Sequence, residues 1–279
     1  MIHLKNERDI AGLRRSAELV GEVLTTVAQM VEPGVETHKL DEAAEALIRS
    51  KGARPAFKGY GGGGGLQPFP ASLCISRNDV VVHGIPNGTV LVEGDIVSVD
   101  CGVELDGYFG DYAYTFAVGE ISEEDQRLLA VTKQSLYAGI SNAYAGKRLG
   151  DIGHAVQTYC EDRGYGVVRD LVGHGIGRRL HEDPQVANYG RQGKGKKLKP
   201  GMTICIEPMI NRGTADVDVD PDGWTVRTAD GQPAAHYEHM VAVRRGRAEI
   251  LSSYESIEAA LHARGAFVAE PTPLAAVTS

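Results

Sequence analysis

The sequence predicts an α+β protein built as two similar halves packed into one domain. Three observations carry this expectation. The order of two amphipathic helices followed by strand pairs occurs twice along the chain. A shift of 112 residues aligns Gly34 with Gly146, Leu40 with Ile152, Ala43 with Ala155 and Gly52 with Gly164. Acidic residues also stand inside apolar, strand-like runs, where burying an unpaired carboxylate is costly.

Residues 7–31 place Ile10, Leu13, Ala17, Val20, Leu24, Val27 and Val31 at steps of three and four, the stripe of an amphipathic helix. Glu32-Pro33-Gly34 ends it, Thr37 is placed to cap a second helix running to Lys51, and Gly52 stops that one. A glycine-rich loop at 59–65 precedes strand-like runs at 72–76, 80–83 and 95–105. Asp106-Gly107 reads as a two-residue hairpin turn into a strand at 108–118. The pattern then restarts. Ser122 with Asp125 resembles a capping box for a helix to about residue 144, and Asp151 is placed to cap another that stops at Gly164. Strand groups follow at 202–210 and 237–243, and residues 265–279, with two prolines and no periodicity, are expected as a disordered tail.

Composition narrows the class. Of 279 residues, 42% are hydrophobic and 24% charged, enough for a substantial core. Lys and Arg number 29 against 37 Asp and Glu, a net charge of -8, which argues against general binding of DNA or other nucleic acid. The charged start (Lys5, Glu7, Arg8, Asp9) does not fit a secretory signal, and no apolar run reaches the roughly 18 residues that span a bilayer. Four cysteines (Cys74, Cys101, Cys160, Cys205) form no C-x-x-C pair and are too sparse for a disulfide framework. A soluble cytoplasmic protein is expected. Its 35 glycines lack a collagen period and mark turns and close backbone approaches.

Four carboxylates carry the chemistry. Asp100 lies in Ile96-Val97-Ser98-Val99-Asp100-Cys101, and Asp111 in Tyr108-Phe109-Gly110-Asp111-Tyr112. Glu207 ends Thr203-Ile204-Cys205-Ile206, and Glu238 precedes His239-Met240-Val241. With a two-residue turn at Asp106-Gly107, opposed residue numbers sum to 213, so Asp100 faces Ala113 and Asp111 faces Gly102. The two aspartates then share one face as diagonal neighbours and repel unless a positive charge lies between them. A metal centre accounts for four such residues better than solvated edges or Arg pairs do. His174, in Gly173-His174-Gly175-Ile176-Gly177, and His83 and His181 are the candidate histidines. His236 and His239 flank Glu238, and neither is assigned as a ligand.

These residues, in this order, resemble the type I methionine aminopeptidases of the M24 metallopeptidase family. The matching motifs are Val82-His83-Gly84-Ile85-Pro86, Gly173-His174-Gly175-Ile176-Gly177, Leu180-His181-Glu182-Asp183-Pro184-Gln185-Val186, Glu207-Pro208-Met209 and Tyr237-Glu238-His239. The resemblance covers roughly residues 4–252. It implies the pita-bread fold, with two pseudo-symmetric halves of antiparallel sheets and outer helices. It implies one catalytic domain over 1–264, with halves of about 1–119 and 120–252. The implied activity is removal of the initiator methionine from nascent polypeptides whose second residue is small, by water activated at two divalent metal ions. By position, Asp100 chelates one ion, His174 and Glu207 hold the other, and Asp111 and Glu238 bridge. Four carboxylates and one imidazole suit Co, Mn, Fe(II) or Zn. Glu207 is cast as the proton shuttle, His181 as support for the oxyanion, and His83 as the hydrogen-bond partner of the scissile amide. The implied methionine pocket comprises Phe57, Tyr60, Phe69, Cys74, Leu180 and Trp224, although core packing accounts for Phe57 and Leu180 nearly as well.

One segment departs from the family pattern, which usually runs quickly from the Gly-Tyr of Gly59-Tyr60 to the Phe-Pro of Phe69-Pro70. Here residues 61–68 lengthen that segment, either as a tolerated floppy insertion or as a mobile lid. A basic run (Arg191, Lys194, Lys196, Lys197, Lys199) is ordinary solvated surface on charge grounds; the sharper reading is a transient contact with ribosomal RNA. A monomer is expected. The nearest rival activity is that of an X-Pro aminopeptidase or dipeptidase, which shares the ligand set but carries an extra N-terminal domain for which the stretch before Asp100 leaves no room. A non-catalytic binding relative is the other rival, and it would have lost ligands that this sequence keeps.

Overall fold

In a computed structural model, which describes residues 2–270, the N-terminal stripe forms α1 (Glu7–Met30), and all seven of its apolar positions from Ile10 to Val31 are buried. Asn6 and Asp9 exchange side-chain and backbone hydrogen bonds, a reciprocal cap that starts the helix. The first half continues through α2 (Thr37–Ser50), β1 (Arg54–Pro55), β2 (Leu73–Arg77), β3 (Val80–Val82), β4 (Ile96–Leu105) and β5 (Tyr108–Ala117). The second half opens with α3 (Glu123–Ile140) and α4 (Leu149–Glu161). Its strands are β6 (Gly166–Val167), β7 (Gly173–Gly175), β8 (Glu182–Val186), β9 (Thr203–Ile206), β10 (Met209–Asn211), β11 (Val217–Val219), β12 (Val226–Thr228), β13 (Ala234–His236), β14 (His239–Val243) and β15 (Ala248–Ile250), before α5 (Glu255–Ala263). No helix among the described residues is long and apolar enough to cross a membrane.

Among the described residues every strand pairing is antiparallel. In the first half β4 pairs with β1, β2 and β5, and in the second a five-stranded sheet runs β15-β14-β9-β7-β8. Smaller sheets, β13-β10-β6 and β11-β12-β3, join them. One apolar core runs from α1 and α2 through the β4–β5 hairpin to α3, α4, β9 and β14. The fold is therefore the expected one, two halves of antiparallel sheet with helices outside. The 112-residue shift is visible in detail: Gly34 and Gly146 take φ of 98° and 103°, Gly52 and Gly164 take 73° and 82°, and Leu40 and Ile152 are both fully buried. Equivalent left-handed turns thus enter and leave the second helix of each half, where a side chain would be strained.

Several local expectations are corrected. Thr37 is the first residue of α2 rather than its cap, because its hydroxyl is committed to Asn87, donating to its carbonyl and accepting its N–H. Asp151 lies one turn inside α4 and bonds the N–H groups of Arg148 and Gly193. α3 ends at Ile140, short of residue 144. Glu207-Pro208 divides the 202–210 run into β9 and β10, because proline has no N–H for the ladder. Of the expected tail, residues 265–270 pack onto the protein. Val268 and Ala269 are buried, and the Ala269 carbonyl accepts a 2.5 Å hydrogen bond from the buried Lys133 Nζ. Residues 271–279 lie outside the described residues.

Candidate metal centre and its cavity

The β4–β5 turn sets the first two carboxylates. Asp106 and Gly107 take φ of 54° and 74°, the left-handed pair that a tight hairpin turn requires. The register follows, with Asp100 opposite Ala113 and Asp111 opposite Gly102, so both aspartates share one face. Cys74 on β2 lies opposite Asp100 and brings the apolar wall of the site up to it. From the other half, His174 comes from β7, Glu207 from the break between β9 and β10, and Glu238 from the link between β13 and β14. The Glu238 N–H donates to Ala113 O (3.1 Å) and Tyr254 Oη (2.9 Å), fastening this link to the hairpin that carries the aspartates.

The tautomer of His174 fixes the character of the centre. Its Nδ1 lies 2.9 Å from the Gly175 carbonyl, which can only accept, so Nδ1 carries the proton. Nε2 is then a bare lone pair, 3.6 Å from both Asp111 Oδ2 and Glu207 Oε1. Three acceptors facing one another repel unless a cation lies among them. Asp100 Oδ1, Asp111 Oδ1, Glu207 Oε1 and Glu238 Oε1 are moreover buried without any hydrogen-bond partner. Burial pushes the Asp111 carboxyl up to about 8. Burial and then the neighbouring carboxylates drive Asp100, Glu207 and Glu238 well above their ordinary range. Orphaned oxygens, a metal-ready imidazole and mutual repulsion are what divalent cations relieve, so the residues fit such ions.

Ligand atoms of Asp111, His174, Cys205 and Glu238 lie within 4.8 Å of one another, as do those of Glu207, His236 and Glu238. The Cys205 thiol is held protonated, first by burial and then by the Glu238 charge. His236 escaped the sequence reading, although residues 236 and 238 have the same parity in an extended segment and share a face. His239 points away, its Nδ1 2.7 Å from Ser252 Oγ and its ring stacked on Tyr254.

His83, just past β3, takes φ of 58°, an uncommon left-handed geometry for a side-chain-bearing residue. Burial keeps its imidazole neutral, with its pKa pushed down to about 4, and does the same to His181, pushed down to about 3. The His181 ring lies 4.2 Å from that of His174, and Tyr60 Oη is 2.5 Å from His181 Nδ1.

One cavity of about 140 Å³ is lined by all the expected metal ligands, by His83 and His181, and by Phe57, Tyr60, Phe69, Cys74, Leu180 and Trp224. Phe57, Phe69, Cys74 and Leu180 form a buried cluster beside the carboxylates, with Trp224 packed against it. The lengthened segment forms an arch. At its base Gly59 N donates to Phe69 O and Phe69 N to Tyr60 O, and at its tip Gly63 and Leu66 exchange two hydrogen bonds. Its far limb receives the Trp224 indole N–H at Gln67 O (2.9 Å).

Buried acids paired with a metal-ready imidazole fit the class of metal-dependent hydrolases. The pattern of metallopeptidase family M24 matches residues 11–245. A methionine aminopeptidase of Clostridium acetobutylicum is 52% identical over 256 residues, covering 91% of this chain and all of the relative, and methionine aminopeptidase 1 of Bacillus subtilis is 46% identical over 90% of this chain and 99% of its own length. The crystal structure of methionine aminopeptidase from Rickettsia prowazekii superposes with a TM-score of 0.87 at 42% identity, covering 91% of this chain and 100% of that one. An Xaa-Pro dipeptidase from Bacillus anthracis shares the fold at 22% identity and a TM-score of 0.72, this chain spanning 62% of its length. The chain belongs to metallopeptidase family M24 and, within it, to the methionine aminopeptidases.

Proposed function

We propose that the protein removes the N-terminal methionine from polypeptides whose second residue is small, with Asp100, Asp111, His174, Glu207 and Glu238 holding two divalent ions. The observation that carries this reading is the bare His174 Nε2 facing Asp111 and Glu207 beside an apolar slot. The donor set accepts Co, Mn, Fe(II) or Zn. When bound, the ions supply Lewis acidity, polarising the scissile carbonyl and bringing the pKa of water toward neutrality.

The chain's own groups do the rest. Phe57, Phe69, Cys74 and Trp224 take the thioether side chain and keep water from it. Glu207 takes a proton from the attacking water and passes it to the departing amine. His83 hydrogen-bonds the scissile amide. His181 supports the carbonyl oxygen as negative charge develops. Burial raises the Tyr60 hydroxyl pKa, so it stays protonated and donates to His181 Nδ1, leaving the His181 Nε2–H free to face the substrate. Substrates in this reading are nascent chains in the cytoplasm, met by a monomer. The exposed basic run, whose backbone is bonded to the start of α4, is its contact with ribosomal RNA.

The test is hydrolysis of Met-Ala-Ser beside Ala-Pro-Gly by chelator-treated protein, before and after metal is restored. Metal-dependent cleavage of the first peptide alone is expected. Cleavage of Ala-Pro-Gly alone, or of neither peptide, overturns the proposal.

A further inference from the structure

His236 closes β13 with only 2% of its surface exposed. Its backbone is pinned on both sides. The N–H donates to Ser98 Oγ (3.2 Å) and Thr115 Oγ1 (3.0 Å), and the carbonyl accepts from Thr115 Oγ1 (2.6 Å). The backbone that bears the ring is thereby fixed to the β4–β5 hairpin, which also carries Asp100 and Asp111. Two residues on, Glu238 is tied to the same hairpin at Ala113, so neither residue can move without the other.

The ring's own chemistry is incomplete. His236 Nε2 is buried without a hydrogen-bond partner, 3.9 Å from Glu238 Oε2 and within 4.8 Å of ligand atoms of both Glu238 and Glu207. Glu207 Oε1 and Glu238 Oε1 are likewise buried without a donor. A neutral imidazole offers one N–H, and the Glu238 and Glu207 carboxylates beside Nε2 are acceptors. A bare nitrogen there would add a further repulsion, whereas an N–H faces the Glu238 carboxylate, whose other side-chain donor is the Cys205 thiol.

We infer that His236 is a positioning residue of the metal centre, its Nε2–H the donor that holds Glu238 and Glu207 in ligating orientation. This rests on the metal-holding role proposed for those two carboxylates. Partners of this kind fix the direction of a ligand's free lone pair without touching the metal, and losing one weakens metal affinity by about 10–100-fold.

The experiment is calorimetric titration of Co(II) into chelator-stripped wild-type, His236→Leu and His236→Gln protein, with the visible spectrum recorded at saturation. Wild type must first bind Co(II); if it does not, the metal reading itself fails. Given wild-type binding, His236→Leu is expected to weaken at least one equivalent by about 10–100-fold. His236→Gln, whose amide N–H reaches a similar position, is expected to recover most of the loss. Band positions at saturation stay as in wild type. Should the leucine variant fail to fold, His236→Asn withdraws the donor while keeping a polar side chain, and the same loss is expected. Unchanged affinity in His236→Leu or His236→Asn overturns the inference. So does a spectrum that reports the loss of a nitrogen ligand, which would make His236 a ligand rather than a positioning residue.

Discussion

The cavity has two walls of different construction. On one side, Asp100, Asp111, His174, Glu207 and Glu238 sit on strands or at breaks between them, with backbones bonded across the two halves, as Glu238 is to Ala113. On the other side, the apolar slot is closed by loops: the arch between Gly59 and Phe69 and the turn that presents Trp224, bonded to each other through Gln67. The first wall is specified by register and charge. A one-residue slip would turn an aspartate to the wrong face, away from the other carboxylates. The second is specified by volume and loop length, which tolerate change because apolar contact is non-directional. Substitutions in the first wall should therefore abolish activity through metal loss, and those in the second should tune substrate binding.

Asp111→Asn breaks the first wall most deeply. Losing a ligand forfeits several kcal/mol of charge stabilisation, so peptide hydrolysis should fall on the order of 10³-fold, with metal content by elemental analysis falling alongside. In metal-free form the same variant should melt no lower than metal-free wild type, because an amide replaces a buried acid whose Oδ1 has no partner. Wild type itself should lose about 5–10 °C of melting temperature on chelation if the ions stand near 100 times their dissociation constant. A ligand variant that stays loaded and active would dissolve the distinction between the walls.

His83→Ala sharpens it. This residue borders the ligands but is not proposed as one, so metal content should stay at the wild-type level while kcat drops by about 10²-fold. Full activity with metal in place would remove His83 from the mechanism. Tyr60→Phe, which belongs to the arch but touches His181, should cost about tenfold in kcat/KM, the worth of one hydrogen bond, again with metal retained. Equal activity of the phenylalanine variant would mean that His181 needs no help in holding its tautomer.

How much of this was legible in the sequence divides along the same line. The parity argument from Asp106-Gly107 places Asp100 opposite Ala113 before any coordinates, because a two-residue turn leaves only one register. The apolar stripe of α1 was equally plain, since its period is local. Long-range events were not. Thr37 offered a cap to α2 and was claimed by Asn87 from fifty residues away. Val268 and Ala269 looked like tail residues and are covered by the protein's core, a tertiary contact with no local period. His236 was passed over because its role comes from a packing partner across the site, although its two-residue spacing from Glu238 pointed there. The arch at 61–68 could be counted but not shaped, because five consecutive glycines leave its path open until Trp224 and Gln67 fix it.

The arch also supplies the smallest expected effect. Gly61 takes φ of 68°, and a β-carbon there would sit 2.7 Å from the edge of the Trp224 indole. Alanine must therefore push the indole away from its place beside Phe69, 5.4 Å off, and His83, 6.4 Å off. Overpacking of this kind costs about 1 kcal/mol at its mildest, so Gly61→Ala should raise KM for Met-Ala-Ser roughly fivefold. Its kcat should stay within about twofold, because the carboxylate wall is untouched. Trp224 is the only tryptophan, so its fluorescence reports the displacement directly, and the emission change on adding methionine should shrink in the variant. Deleting residues 62–65 separates the two readings of the insertion: a floppy addition predicts unchanged kinetics and emission. An arch that holds the indole predicts that both shift together, because its far limb, with Gln67, is then drawn off Trp224.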